Sequence, residues 1–233
     1  MLMDAARATV RVACLGLALL ALPALAQTPD VAATCPDAMR EGAELRKAPR
    51  QELASATRPA LRNNLLLMAR HDQEARAYLL SGHGRIDPAT PEGARLAEVD
   101  ARNLRRLKHI VALDGFPTAA MVGFDGVEAV LLLTTHAAAD PDFQEQVLKL
   151  AAPYVRSGEV RADQVATLTD DLLRARGKKQ RYGTQFEFHD GELRPAPIED
   201  EANVDARRRE VGLLSLANEV CLTRALFSAP ARQ

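Results

Sequence analysis

The fold class follows first from residues 57–80, which read TRPALRNNLLLMARHDQEARAYLL. Apolar residues recur in this stretch at spacings of three and four, the period at which one face of an α-helix repeats. They are Leu61, Leu65, Met68, Ala75 and Leu79. The stretch is too long for a strand, and the pattern predicts an amphipathic helix with one buried face.

Similar patterns on both sides predict more helices, separated by short segments rich in Gly, Pro, Ser and Asp. They cover residues 36–47, 91–113, 141–155, 162–176, 204–210 and 213–227. The apolar run 127–133 suits either a strand or a helix, and we favour a buried helix because helices precede and follow it. Residues 121–125 are expected to be irregular. The sequence therefore predicts a mostly α protein, an antiparallel, bundle-like single domain.

One segment has a different pattern. Tyr182, Thr184, Phe186 and Phe188 alternate as in a half-exposed strand, and Asp190-Gly191 is a typical hairpin turn. We expect a small β-hairpin over residues 180–194.

The first 26 residues have the features of a signal peptide. A positive start is followed by an uncharged run of about 14 residues and by the small-residue site Ala24-Leu25-Ala26. The run is shorter than the roughly 20 residues of a spanning helix, which argues against a membrane anchor, and Cys14 is poorly placed for lipidation. We expect a periplasmic or secreted protein without a membrane span after cleavage. Residues 27–56 would form a lead-in with a weak helix, and residues 57–228 the helical domain.

Composition narrows the function classes. The 233 residues have a net charge of -1 and contain 4% aromatic residues. Nucleic-acid binders are usually strongly basic, so no nucleic-acid partner is expected. The partner would be a small molecule or a protein, and no motif indicates a cofactor or a metal ion.

Two cysteines remain after the leader, Cys35 and Cys221. In an oxidising compartment an even number of cysteines indicates a disulfide, although two free thiols are the alternative. Pairing requires Cα atoms within about 7 Å.

Three polar residues interrupt the apolar faces of the predicted helices: Asp72, Asn103 and His136, with Asp100 one turn from Asn103. A buried polar group needs a partner, so these residues form either a structural network or a ligand-facing site. An Asp beside a His orients the imidazole for general base catalysis. The candidate catalytic residues are therefore His136 with Asp72 or Asp100.

Residues 180–185, Gln-Arg-Tyr-Gly-Thr-Gln, supply neutral hydrogen-bonding groups that suit ligand binding. A polar strand edge is the alternative interpretation. The candidate ligand-binding residues are Gln73, Asn103, Gln144, Gln180, Tyr182, Thr184 and Gln185. The charge run Arg207–Arg209 is interpreted as a solvated helix face.

Taken together, several short motifs resemble an uncharacterised bacterial domain family of unknown function over about residues 59–216. They are Met68-x-x-x-Asp72-Gln73, Asp100-x-x-Asn103, Gly115-Phe116-Pro117, His136-Ala137, Asp142-Phe143-Gln144, Leu168-Thr169-Asp170, Gln180-x-Tyr182-Gly183-Thr184-Gln185, Pro197-Ile198-Glu199-Asp200 and Val204-Asp205-x-Arg207-Arg208. Family proteins more usually have Gly-Trp-Pro where this chain has Gly-Phe-Pro. The resemblance implies no established activity.

The first functional hypothesis is therefore a ligand- or protein-binding module with a polar pocket. The alternatives are a hydrolase or transferase with His136 as general base, oriented by Asp72 or Asp100, and a purely structural protein. An imidazole and a carboxylate within about 3 Å, beside an open pocket, would favour the enzyme. We also expect His136, Asp72 and Gln185 to belong to one site.

Overall fold

The structure is a computed structural model that describes residues 11–12, 29–46, 55–81, 90–189 and 192–228. The predicted leader lies outside the described residues except for Arg11 and Val12, and so does the turn Asp190-Gly191.

The described chain is mostly helical, as the sequence predicts. Its α-helices are α1 Pro29–Thr34, α2 Pro36–Leu45, α3 Pro59–Ser81, α4 Pro91–Asp114, α5 Ala119–Thr135, α6 Pro141–Ala151, α7 Ala162–Ala175, α8 Val204–Glu210 and α9 Leu216–Ser228. Two short 3-10 helices, Ala152–Tyr154 and Glu201–Asn203, extend α6 and precede α8. Helix α1 lies in the stretch before residue 36, which the sequence predicted only as a lead-in.

Helix α5 lies at the centre of the helical body and packs against α3, α4, α6 and α7. Val127, Val130, Leu131 and Leu133 of this helix are buried in the main core. A helix that is apolar on nearly all sides is stable only when neighbours cover all of it. The helical interpretation of residues 127–133 is thus confirmed.

The same helix corrects one expectation. Residues 121–125, predicted to be irregular, lie inside α5, which begins at Ala119. The segment does contain a kink, because Gly123, the fifth residue of the helix, has φ 73°. Glycine tolerates this left-handed conformation, so the helix continues on both sides of it.

A small antiparallel sheet lies beside the helices. Strand β2, Phe186–His189, pairs with β3, Glu192–Pro195, and with the two-residue strand β1, Arg11–Val12. The hairpin is confirmed, but its first strand is shorter than predicted. Residues 181–185 form a loop, and Gln180 makes an isolated bridge to Ile198. Side chains of the helical body hold this loop through hydrogen bonds to its backbone, in place of the backbone hydrogen bonds that a longer strand would make.

A disulfide joins the N-terminal helices α1 and α2 to the last helix, α9. Cys35 and Cys221 form a disulfide with a Cα–Cα distance of 5.9 Å, which confirms the predicted pairing. Around it α1 and α2 pack on α9 in a second apolar cluster that includes Val31, Ala38 and Leu222. None of the helices in the described part of the chain combines the length and apolar character that a membrane crossing requires.

Candidate functional site

An aspartate and a histidine meet between α3 and the end of α5. Asp72 Oδ2 lies 2.7 Å from His136 Nδ1, and the two side chains are 0% and 2% exposed. Asp72 is on the buried stripe of α3, and His136 caps the C-terminus of α5. The packing of α3 against α5 therefore brings together two residues that are 64 positions apart.

A buried arginine completes the cluster. Arg76, one turn after Asp72 on α3, places Nε 3.3 Å from Asp72 Oδ2 and 3.0 Å from His136 Nδ1. Its Nη2 donates to Asp100 Oδ1 on α4 at 2.6 Å. The Asp100 side chain is 28% exposed, so the ion pairs run from the surface to the buried imidazole.

Two neighbours approach the same imidazole nitrogen. An ionised carboxylate only accepts hydrogen bonds, so the 2.7 Å contact with Asp72 Oδ2 favours a proton on His136 Nδ1. The Nε–H of Arg76 points at this Nδ1 atom at 3.0 Å and at Asp72 Oδ2 at 3.3 Å, and with the proton on Nδ1 only the second contact is a hydrogen bond. The neutral imidazole consequently has an unprotonated Nε2, the atom that acts as a base.

The local charges fit this assignment. Burial lowers the pKa of His136, as does the neighbouring Arg76, and Asp72 only partly opposes the shift. Burial raises the pKa of Asp72, but the hydrogen bond and charge of His136, with Arg76 and Gln73, outweigh it and leave the pKa below its usual range. Burial also raises the pKa of Asp100 to about 6, against the attraction of Arg76. Asp72 is thus ionised beside a neutral imidazole.

Three buried polar atoms of candidate residues have no hydrogen-bond partner within the described part of the chain. They are His136 Nε2, Asn103 Nδ2 and Gln144 Oε1. An unpaired buried polar atom costs about 1–3 kcal/mol, and each such atom in a native protein calls for an explanation such as a bound molecule. Asn103 follows Asp100 by three residues and so shares a face of α4 with it.

Gln144 links the end of α5, next to His136, to helix α7. Its Nε2 donates to the carbonyls of Thr134 and Thr135, the two residues before His136, and to Asp171 Oδ2 at 2.7 Å. Gln144 therefore fixes the end of α5 on α7. Gln73 extends the cluster on the other side by donating to Asp72 Oδ2 at 3.0 Å.

The segment 180–185 is held by hydrogen bonds within the loop and to the helical body. Gln180 Nε2 donates to the carbonyls of Gln185 and Ala196, and its Oε1 accepts from the Gln185 amide. Asp170 accepts from the amides of residues 181, 182 and 184 and from the Thr184 hydroxyl. Burial raises the pKa of Asp170, although these hydrogen bonds favour its ionised form.

Arg208 corrects the interpretation of residues 207–209 as a solvated face. Its side chain is buried and donates to the carbonyls of Tyr182 and Leu214 at 2.6 and 2.5 Å, and to Glu219 Oε2 at 3.2 Å. Burial lowers the pKa of Arg208, and Glu219 opposes this shift. A buried guanidinium needs carbonyl or carboxylate partners, and tertiary packing provides them here. A run of three arginines in the sequence does not show which one points inward.

The predicted site residues thus fall into two groups. Asp72, Gln73, Asp100 and His136 are linked by hydrogen bonds directly or through Arg76. No hydrogen bond of the described residues joins Gln185 to Asp72 or His136. Its backbone groups bind the Gln180 side chain, and its side-chain Nε2 donates to the Thr184 hydroxyl, so its partners lie within the 180–185 loop. Arg76 was missed, although its position four residues after Asp72 puts it on the same helix face.

The described residues contain no group of three His, Cys, Asp or Glu side chains that could hold a metal ion. The cluster itself supplies an oriented imidazole, two carboxylates and a guanidinium, which are groups for acid–base and hydrogen-bonding chemistry.

Comparison with known proteins identifies the family. A family model described as a family of unknown function (DUF6624) matches residues 59–229, so the chain belongs to this family. No curated protein and no solved structure matches the chain. The matched residues include the whole Asp72–His136 cluster and the 180–185 loop.

Proposed function

We propose that this member of DUF6624 is a hydrolase or transferase in which His136 is the general base and Asp72 orients it. The observation that carries the proposal is the 2.7 Å contact of Asp72 with His136 Nδ1, with Nε2 left unpaired. An imidazole held in this way accepts a proton from a nucleophile and returns it to a leaving group.

The chemistry needs no further protein nucleophile. Nε2 removes a proton from water, or from the hydroxyl or amine of an acceptor, as its oxygen or nitrogen attacks an electrophilic carbon or phosphorus. The imidazolium, stabilised by Asp72, then protonates the leaving group as the scissile bond breaks. Asp72 is a positioning residue in this scheme, since it acts through His136.

Of the two features expected of an enzyme, the short imidazole–carboxylate contact is present, whereas Nε2 is buried rather than beside an open pocket. A substrate therefore has to displace part of the cover, and it would enter on the side of Arg76 and Asp100, because Asp100 is the most exposed member of the ion pairs. Conformational steps that complete or open a site are common in enzymes.

The test is a panel of p-nitrophenyl esters, aminoacyl p-nitroanilides and a p-nitrophenyl phosphodiester. We expect turnover of at least one class, lowered about 100-fold or more by His136→Gln and less by Asp72→Asn, in line with the 10²–10⁴-fold usual for acid–base groups. His71→Ala is the matched control, because His71 is exposed and adjacent to Asp72. Turnover unchanged in His136→Gln would contradict the proposal.

A stability measurement completes the test if no substrate in the panel is hydrolysed. A structural network predicts that His136→Ala lowers the free energy of unfolding by roughly 1–3 kcal/mol, because Asp72 loses one of its hydrogen-bond partners. If the role of His136 is catalytic, Arg76 and Gln73 still satisfy Asp72, and the loss should stay below about 1 kcal/mol. Marked destabilisation together with an inactive panel would overturn the proposal in favour of a structural role.

A binding module is the second candidate, and the unpaired atoms favour it. His136 Nε2 and Gln144 Oε1 are acceptors, and Asn103 Nδ2 is a donor. A ligand with complementary groups would satisfy them without reacting. Ligand-induced stabilisation that is lost in Asn103→Leu, without turnover in any assay, would favour binding over catalysis.

We further propose that the protein works in the periplasm or outside the cell. The leader-like residues 1–26 support export, and the Cys35–Cys221 disulfide fits an oxidising compartment. Intact-mass measurement of the exported protein should give a chain that starts at Gln27, which removes β1 and leaves the β2–β3 hairpin of the sheet. A mature chain that keeps residues 1–26 would contradict this assignment.

A further inference from the structure

A second site candidate is a groove between the first half of α3 and the second half of α4. It has a volume of about 640 Å³. The residues that line it are Arg58, Ala60, Leu61, Asn64, Arg102, Arg105, Arg106, His109 and Ile110. Asn64 precedes Asp72 by eight residues, about 12 Å along α3, and none of the lining residues belongs to the Asp72–His136 cluster, although Arg102 follows Asp100 by two residues on α4.

Positive charge is concentrated on one wall of the groove. Arg102, Arg105, Arg106 and His109 are spaced by three, one and three residues, which puts them on adjoining rows of the exposed side of α4. Within the described part of the chain, Arg102, Arg105 and Arg106 form no ion pair, whereas Arg58 pairs with Asp114. Three guanidinium groups are therefore free to bind an anion.

The other residues that line the groove indicate that its ligand is larger than a bare anion. Ala60, Leu61 and Ile110 supply an apolar surface. Asn64 also lines the groove. A volume of this size fits a small organic molecule.

We infer that the groove binds a phosphate-bearing organic molecule. Guanidinium groups match phosphate oxygens in paired hydrogen bonds, and a phosphate monoester carries up to two negative charges, which suits several arginines better than one carboxylate does. The organic part lies on Leu61 and Ile110. The phosphate comes from a soluble ester or from a lipid headgroup, and the experiment separates the two.

The test titrates the full exported chain with inorganic phosphate, glycerol 3-phosphate, and phosphatidylcholine vesicles with or without phosphatidate. The variant is Arg105→Ala with Arg106→Ala. Its control is Arg70→Ala with Arg95→Ala, which removes the same charge from exposed positions of α3 and α4 outside the groove. Circular dichroism and thermal unfolding check that both variants fold.

We expect saturable binding of glycerol 3-phosphate or of phosphatidate vesicles that weakens at least tenfold in the groove variant and less than twofold in the control. Glycerol 3-phosphate as the binder indicates a soluble ester, and phosphatidate vesicles alone indicate a lipid. Absence of saturable binding to every phosphate probe, or an equal loss in the control variant, would overturn the inference. These outcomes are independent of His136, so they do not depend on the proposed catalytic function.

Discussion

His136 Nδ1 and Asp72 Oδ2 form a 2.7 Å contact that joins the end of α5 to the middle of α3. The contact has a structural consequence, because it satisfies a buried carboxylate inside the helical body. It also has a chemical one, since it leaves His136 Nε2 unprotonated and unpaired. The hydrogen bond and charge of His136, with the charge of Arg76, keep the pKa of Asp72 low, and burial, with Arg76, lowers the pKa of the imidazole.

Asp100 should make stability depend on pH in a defined window. Its pKa is about 6 in the folded protein and 3.8 in the unfolded chain, so the folded state binds more protons between those values. The contribution of Asp100 to stability therefore falls as pH rises from about 4 to 6. Relative to wild type, the free energy of unfolding of Asp100→Asn should rise by up to about 1.4 kcal/mol per pH unit between about pH 4 and pH 6. Urea unfolding at several pH values measures the difference, which should level off above about pH 6; a pH-independent difference would show that Asp100 titrates normally.

Asp170 should be important for folding rather than for ligand binding. It accepts hydrogen bonds from three loop amides and the Thr184 hydroxyl, so Asp170→Ala leaves several donors unpaired. We expect a loss of about 3 kcal/mol in the free energy of unfolding. Asp142→Ala is the control, because Asp142 is 87% exposed and its ion pair with Arg176 should change stability by less than about 1 kcal/mol. Equal effects of the two substitutions in chemical unfolding would contradict this role.

Gly183 should tolerate no side chain. Its φ is 73°, and a Cβ there would lie 2.7 Å from Ile198 Cδ1 and 3.1 Å from Leu216 Cδ1. Gly158 has a similar φ of 76° but open space around it. Both alanine variants carry backbone strain of about 1–2 kcal/mol, and Gly183→Ala adds a steric clash. Thermal unfolding should therefore show a clearly larger loss for Gly183→Ala; equal losses would mean that the loop moves to accommodate the methyl group.

The sequence predicts the helical body well because its apolar periodicity reports directly on burial. It also places Asp72 and His136 on inward faces, since both stand at core positions of the pattern. It misjudges the 180–185 segment, where alternation of residues suggested a strand but Asp170 and Arg208 hold a loop. Those contacts depend on tertiary packing, which no local pattern encodes. Arg76 and Arg208 were missed for the same reason: a buried arginine differs from an exposed one only in its partners.

The central claim is that Asp72 holds the His136 imidazole with Nε2 available as a base. Nitrogen NMR of the ¹⁵N-labelled protein at pH 7, with the His136 signals identified by their loss in His136→Gln, reads the protonation of each ring nitrogen. We expect a neutral imidazole with the proton on Nδ1 and none on Nε2, and a loss of this preference in Asp72→Ala. A proton on Nε2 at pH 7, whether in the other neutral tautomer or in an imidazolium, would contradict the claim.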